Sequence, residues 1–345
     1  MKALFIGLGG IGQRHLRNLR VLAGRDLQVA AYRVRRQQAV LTDQLQIYGG
    51  ESLEKKYSVT TFSDLEKALA WGPKIAFICN PSSYHLPVAM AAAQAGCHLF
   101  IEKPLSHDLV GTEELATLLE HQGLIGLVAY QMRFHPCIRS IHRILTEHGI
   151  GKIISASAEV GEYLPGWHPY EDYRQMYASR RDQGGGVILS QIHEMDYLYS
   201  LFGTPSRLFA LGGHLSSLEI DVEDTASILM EYHVDGRNIP VHLYQDYVQR
   251  PPSRGLKIIG EGGKINADFR SLTLEHYQEG DLVHCERHEG FERNTLFLDE
   301  MRHFLSCVRG QEKPLVSIRD GAQSLRMALA AKESIQSGLP VTLTP

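Results

Sequence analysis

A short apolar strand that opens straight into glycines constrains this chain more than any other feature. Lys2-Ala3-Leu4-Phe5-Ile6 leads into Gly7-Leu8-Gly9-Gly10-Ile11-Gly12, and Gln13 to Leu19 continues with helical spacing. Gly7, Gly9 and Gly12 carry the G-x-G-x-x-G spacing in the strand-then-helix setting that gives it meaning. Gly7 permits the tight turn, Gly9 lets a pyrophosphate approach the backbone, and Gly12 lets helix and strand pack closely. Gly10 and Ile11 begin a helix whose free N–H groups and positive dipole end suit phosphate. The segment therefore predicts a parallel α/β sheet with a dinucleotide at its edge.

The second strand, Leu27 to Tyr32, bears on which dinucleotide. An NAD site usually ends this strand on an acid that bonds the ribose 2′-hydroxyl. Here the chain reads Tyr32-Arg33-Val34-Arg35-Arg36. Guanidinium groups suit a 2′-phosphate in geometry and charge, so NADP is expected ahead of NAD, with Arg33 as the contact. Arg35 and Arg36 read equally well as the start of a solvated helix.

A third motif is a lysine held between a strand and a proline, His98-Leu99-Phe100-Ile101-Glu102-Lys103-Pro104. Proline lacks an N–H and restricts the residue before it, so the strand stops there. The Lys103 amine then projects from the carboxyl end of a strand, where open α/β sheets bind ligands.

Strand and helix patterns alternate from Met1 to about Tyr130. Helices are expected at Gln37–Leu45, after an N-cap at Ser63, at His85–Ala95 with Gly96 closing it, and from Gly111 to His121. Strands are expected at Tyr57–Thr60, Lys74–Cys79 and Gly126–Tyr130. This is a doubly wound parallel sheet. Beyond it, Ile153–Val160, Leu208–Leu211, Thr225–His233, Val241–Tyr247, Leu256–Gly263 and Ser271–Tyr277 alternate like half-exposed strands of a largely antiparallel sheet. Asn294–Arg309 and Ile318–Ser337 read as closing helices. The expected division is a Rossmann domain over residues 1–128 and an α+β domain over 129–345.

With 345 residues there is room for two such domains. A net charge of −4 provides no electrostatic case for nucleic acid or an anionic membrane. No apolar run reaches membrane-spanning length. The first residues enter a strand at once, leaving no room for a signal peptide. The five scattered cysteines read as reduced thiols, and a cytoplasmic protein is expected.

Two polar stretches remain. Gly184-Gly185-Gly186 precedes Val187 to Leu198, read as one helix with Ser190 and His193 on one face and Asp196 and Tyr197 a turn on. His193 is either a proton carrier or a core histidine satisfied by Asp196. Tyr163-Leu164-Pro165-Gly166-Trp167-His168-Pro169-Tyr170-Glu171-Asp172-Tyr173-Arg174 is dense in rings and hydroxyl-bonding groups. Flat rings stack on sugar faces, so this stretch is read as ligand contact ahead of a loop anchor. His284-Cys285-Glu286-Arg287-His288 reads as a solvated strand or loop, and no metal is expected.

In this order the motifs resemble the Gfo/Idh/MocA oxidoreductases. The matching residues are Gly7-x-Gly9-x-x-Gly12, Asn80-Pro81 with His85, Glu102-Lys103-Pro104, Arg133-Phe134-x-Pro136, and Gly184-Gly185-Gly186 with His193 and Asp196. The resemblance implies an N-terminal Rossmann domain and a C-terminal domain with an open antiparallel sheet, the last helix packing back on the first domain. It implies hydride transfer between NAD(P) and a sugar, polyol or nucleotide sugar, with Lys103 and His193 catalytic and the Lys103–Pro104 peptide cis. It also assigns Asn80, Pro81, His85, Glu102 and Lys103 to the cofactor. Arg133, Tyr163, Trp167, Tyr173 and His193 fall to the substrate. A homodimer or homotetramer associating through the sheet is implied as well. The chain departs from the family in having Ser190 where many members carry an aspartate before the histidine. Tyr163, Tyr173, Asp172 and Asp196 are candidate substitutes for that carboxylate. The departure also admits a catalytically silent, NAD(P)-binding regulatory protein of the same fold.

Overall fold

The computed structural model describes residues 1–24, 26–34, 39–42 and 45–343. Arg35, Arg36 and the first residues of the helix expected from Gln37 lie outside the described residues.

The N-terminal half contains β1 (Lys2–Ile6), α1 (Gly10–Ala23), β2 (Gln28–Tyr32), β3 (Val40–Leu41), β4 (Ile47–Tyr48), α2 (Leu53–Tyr57), β5 (Thr60–Phe62), α3 (Leu65–Ala70), β6 (Ile75–Ile78), α4 (His85–Gln94), β7 (His98–Glu102), α5 (Thr112–His121) and β8 (Gly126–Ala129). Six strands form one parallel sheet in the order β5-β2-β1-β6-β7-β8. Ala3 to Ile6, Ile75 to Ile78 and Leu99 to Ile101 are all buried, which is why these strands read as unbroken apolar runs. The chain winds outward from β1 to β5, then restarts at β6 on the other side. The switch point therefore lies between the carboxyl ends of β1 and β6, at Gly7 and Asn80.

Three local expectations are corrected. Val40–Leu41 and Ile47–Tyr48 pair as a two-strand ribbon where a helix was expected. Gln13 of α1 accounts for this: its Oε1 accepts from Leu41 N and its Nε2 donates to Ala39 O, drawing the ribbon's backbone onto α1. Residues 53–57 are helical and the strand follows at Thr60. Ser52 caps that helix by accepting from Lys55 N, and Asp64, rather than Ser63, caps α3 through Lys67 N.

The second half contains α6 (Pro136–Thr146), β9 (Ile153–Gly161), α7 (Val187–Ser190), α8 (His193–Phe202), β10 (Arg207–Gly213), β11 (Thr225–Val234), β12 (Arg237–Asp246), β13 (Ser253–Gly260), β14 (Gly263–Asp268), β15 (Thr273–Gln278), β16 (Asp281–Arg287), α9 (Asn294–Val308), α10 (Ile318–Ser337) and β17 (Val341–Thr342). Its nine-stranded sheet runs β16-β15-β14-β13-β9-β12-β11-β10-β17, antiparallel except for the β12–β9 pair. Along β11, Ala226, Ile228, Met230 and Tyr232 are buried while Leu229 faces out, the alternation of a sheet covered on one side.

Helices α9 and α10 close the first sheet although they follow the second in the chain. Phe304 of α9 is fully buried and meets Phe77 and Phe100 edge-on, with ring centroids 6.0 and 5.3 Å away. On α10, Gly321 leaves space that Val128 of β8 fills, and Ser334 Oγ accepts from Ala210 N of β10. One helix thus touches both sheets. Replacing Phe304 with Ala removes the ring that fastens α9 to β6 and β7. It should cost about 3–5 kcal/mol, read as a lower denaturant midpoint.

Candidate active site

The turn after β1 is built so that only glycine fits at two points. Gly7 has φ +97°, and a Cβ there would lie 2.8 Å from the Cys79 carbonyl oxygen. A Cβ on Gly12 would collide with the Gly7 carbonyl. Gly9 differs: it caps α1 in an extended conformation, and nothing lies within 4 Å of where its Cβ would be. The backbone at Gly9 is thus bare on the side where the first N–H groups of α1 point, a cradle that fits a dinucleotide's phosphates. Arg33 follows β2 directly, with its side chain buried and its guanidinium ion-paired to Glu54.

Asn80 and Pro81 form the turn after β6. His85 Nε2 lies 2.7 Å from the Asn80 carbonyl oxygen and Nδ1 lies 2.9 Å from that of Pro104. One buried imidazole therefore ties the turn after β6 to the turn after β7. Burial lowers its pKa, opposed by the two carbonyls and by Glu102. Glu102 points inward: Oε1 is 2.6 Å from His15 Nε2, and Oε2 accepts from Lys103 N. His85 and Glu102 thus hold the turn that presents Lys103, whose peptide to Pro104 is cis.

Lys103 Nζ donates to the Ser190 carbonyl oxygen at 2.6 Å. That carbonyl is available because the helix expected across Val187–Leu198 is broken. Helix α7 ends at Ser190, Gln191 turns away with ψ 36°, and α8 restarts at His193. Two buried glutamines hold the break: Gln191 Nε2 donates to Asp246 O, and Gln245 Nε2 donates to Gln191 O. The single-helix expectation is corrected accordingly, since side-chain amides replace the missing helical bonds.

His193 is 5% exposed and meets Tyr130 edge-on, with centroids 5.7 Å apart. Burial pushes its pKa well below the ordinary value, and the charges of Lys103, Arg254 and Arg293 push it further. It is a neutral imidazole at pH 7. Asp196 does not satisfy it. Both Asp196 oxygens are taken by Arg133, with Nε at 2.6 Å and Nη2 at 3.0 Å, in a buried pair that Ser324 joins. The Arg133 guanidinium is thereby held by Asp196. The neighbouring Glu194 is likewise held by Arg254 of β13 through two bonds.

Buried polar atoms without a partner among the described residues gather here: Ser190 Oγ, Gln191 Oε1, His193 Nδ1, Tyr130 Oη and Trp167 Nε1. Such atoms are rare in finished cores and mark a place where water or ligand completes the bonding. The Tyr163–Arg174 stretch forms a strap beside them. The Tyr163 ring lies 3.9 Å beneath the Arg250 guanidinium, Trp167 packs edge-on against Tyr247, and Tyr173 Oη accepts from Glu219 N. Sequence spacing had no means of finding Arg254 or Gln245, which strand register delivers from β13 and β12. Tyr130 was within reach as the residue ending the β8 run.

Two family models match the chain in succession. An oxidoreductase family NAD-binding Rossmann fold covers residues 1–130, and the same family's C-terminal alpha/beta domain covers 143–343. The chain is a Gfo/Idh/MocA oxidoreductase. This oxidoreductase is 26% identical to a myo-inositol 2-dehydrogenase of Thermotoga maritima over 99% of this chain and 98% of that one. It is 27% identical to a UDP-N-acetylglucosamine 3-dehydrogenase of Acidithiobacillus ferrooxidans over 59% of this chain and 58% of the other. Its fold matches the WlbA dehydrogenase from Bordetella pertussis, solved with NADH and UDP-GlcNAcA, at a TM-score of 0.81 and 19% identity, covering 100% and 99% of the two chains.

Several histidines of this Gfo/Idh/MocA chain are buried neutral, His193 among them. His135 is lowered to about 4 by burial and by Arg254. Unfolded imidazoles titrate near pH 6.5, so below that the unfolded chain binds protons that the folded chain refuses. Stability is therefore present above about pH 6.5 and falls as the pH drops towards 4. The urea midpoint should decline over that range. His135→Asn keeps an oxygen to cap α6 at Cys137 N and should flatten the decline.

Proposed function

We propose that this protein transfers a hydride between NAD(P) and a carbinol or keto carbon of a sugar, polyol or nucleotide sugar. The observation that carries the reading is Lys103 Nζ on the carbonyl of Ser190, three residues before the buried His193, among unpartnered buried polar atoms at the switch point of a dinucleotide sheet. The names of the relatives, an inositol and a nucleotide-sugar dehydrogenase, support the substrate class.

The bound dinucleotide supplies the hydride acceptor or donor. In the oxidation direction, neutral His193 takes the proton of the reacting hydroxyl while the hydride leaves its carbon. Lys103, anchored on Ser190 O, donates to the same oxygen and stabilises the charge that develops there. The Arg254 and Arg293 charges that keep His193 neutral also favour an alkoxide. Gly9 and the first turn of α1 would hold the phosphates. Ser190 contributes a carbonyl where a family carboxylate is usual, so in this reading the second proton acceptor is dispensable.

For the cofactor we read NADP ahead of NAD from Arg33, with Glu54 competing for the guanidinium. Arg33→Asp should weaken NADP binding far more than NAD binding in calorimetric titration, and Glu54→Gln should strengthen NADP selectively. Equal effects on both dinucleotides would overturn the preference.

No helix among the described residues is long and apolar enough to cross a membrane. All five cysteines are free, and four are buried, which supports a reducing, cytoplasmic setting. Leu211 and Leu229, exposed on the outer face of the nine-stranded sheet, support association of copies through that face.

Lys103→Met should lower kcat by at least about 100-fold while leaving dinucleotide affinity within a few-fold. The assay is cofactor absorbance at 340 nm across neutral sugars, polyols and nucleotide sugars. Dinucleotide binding without turnover of any of them would favour the silent regulatory protein instead.

A further inference from the structure

The cofactor cradle lies in the first domain, yet a side chain from the strap of the second reaches it. Tyr170 lies midway along the strap, and its hydroxyl sits 2.9 Å from where a Cβ on Gly10 would be, with Leu41 and Leu45 beside it. Gly10 is the first residue of α1. The strap spans from the second domain to this point and is fastened to that domain on both sides. On one side Leu164 is fully buried, its N–H bonds the Tyr247 carbonyl, and Trp167 packs on the Tyr247 ring. On the other, Arg174 bonds Asp172 and Glu219, and Ser179 Oγ donates to the Tyr173 carbonyl. Between these anchors His168 stacks on Tyr170 with centroids 5.2 Å apart and bonds Glu171 at 2.6 Å. The strap is thus stiffened behind the tyrosine it presents.

We propose that Tyr170 completes the cofactor site from the second domain, its hydroxyl lying over the glycine loop and donating a hydrogen bond to a phosphate of the bound dinucleotide. The proposal rests on the NAD(P) reading above and adds a residue to it. Glycine at position 10 fits this account, since a Cβ there would crowd the tyrosine hydroxyl at 2.9 Å. Burial and the Glu171 carboxylate both raise the Tyr170 pKa, so the hydroxyl keeps its proton and remains a donor. Among the described residues the acid beside it is Glu171, whose carboxylate lies 2.6 Å from His168 Nδ1. The strap also carries Tyr163 and Trp167 towards the Ser190–His193 region. Its hold on the phosphates is therefore coupled to the wall of the substrate site.

The test is binding, independent of turnover. Tyr170→Phe should raise the Kd for NADPH and NADH about tenfold, the loss of one hydrogen bond to a charged group. The change should fall mainly on the dissociation rate in stopped-flow fluorescence. ADP-ribose, which keeps the diphosphate, should show the same loss, and adenosine, which lacks it, should show none. Tyr170→Ala should weaken the dinucleotides at least as much as Tyr170→Phe, and thermal unfolding of both variants without cofactor should match the wild type. Unchanged or tighter dinucleotide binding in Tyr170→Phe, or an equal loss with adenosine, would overturn the proposal while leaving the hydride-transfer reading intact. A wild-type protein that binds neither dinucleotide would overturn both.

Discussion

The bond between Lys103 Nζ and the Ser190 carbonyl joins the two halves of this molecule at the point where its chemistry is proposed to occur. A lysine at the end of a parallel strand has four methylenes of freedom, and a carbonyl within a helix has no free acceptor of this kind. The contact exists because each side gives up something. The turn after β7 is held by His85 and Glu102, so the amine emerges in one direction. The helix after the three glycines is interrupted, so the Ser190 oxygen is left without its usual partner. Buried glutamines on α7's far side and on β12 absorb the cost of that interruption.

The electrostatics follow from the same arrangement. Glu194 and Asp196 follow His193 in sequence, and each is paired with an arginine, Arg254 and Arg133 respectively. What remains near the imidazole is positive: Lys103, Arg254 and Arg293. A carboxylate in place of Ser190 would have weakened that positive field. Its absence leaves a field that keeps the base unprotonated and favours oxygen anions, one coherent setting for oxidising a hydroxyl.

Much of this was legible in the residues, for reasons that can be named. The parallel sheet announced itself because its strands are buried on both faces and its first turn demands glycine at two crowded positions. Helix α10 matches its expected bounds because Ser317 and Asp320 form a capping box at one end and Gly338 closes the other. The ribbon at Val40–Tyr48 was missed because its backbone is organised by Gln13, 28 residues from the Leu41 N–H it accepts, and no local pattern encodes that. The helix break at Gln191 was missed for a like reason, since its stabilising partners, Gln245 and the Asp246 carbonyl, come from β12. Pairing across the fold, rather than residue type, decided those two positions.

Helix α10 has a consequence for how the protein is made. Residues 318–337 cover Val128 on one sheet and reach β10 on the other, and α9 covers Phe77 and Phe100. Both helices leave the ribosome after every strand of the two large sheets except the short β17. Until then the nascent first domain carries a bare aromatic face that its own sequence cannot cover, so it is held open to chaperones and to misassociation for most of translation. The early half of the polypeptide thus waits on the late half, and a truncated product would be expected to persist as sticky, protease-sensitive material instead of a free-standing nucleotide-binding module.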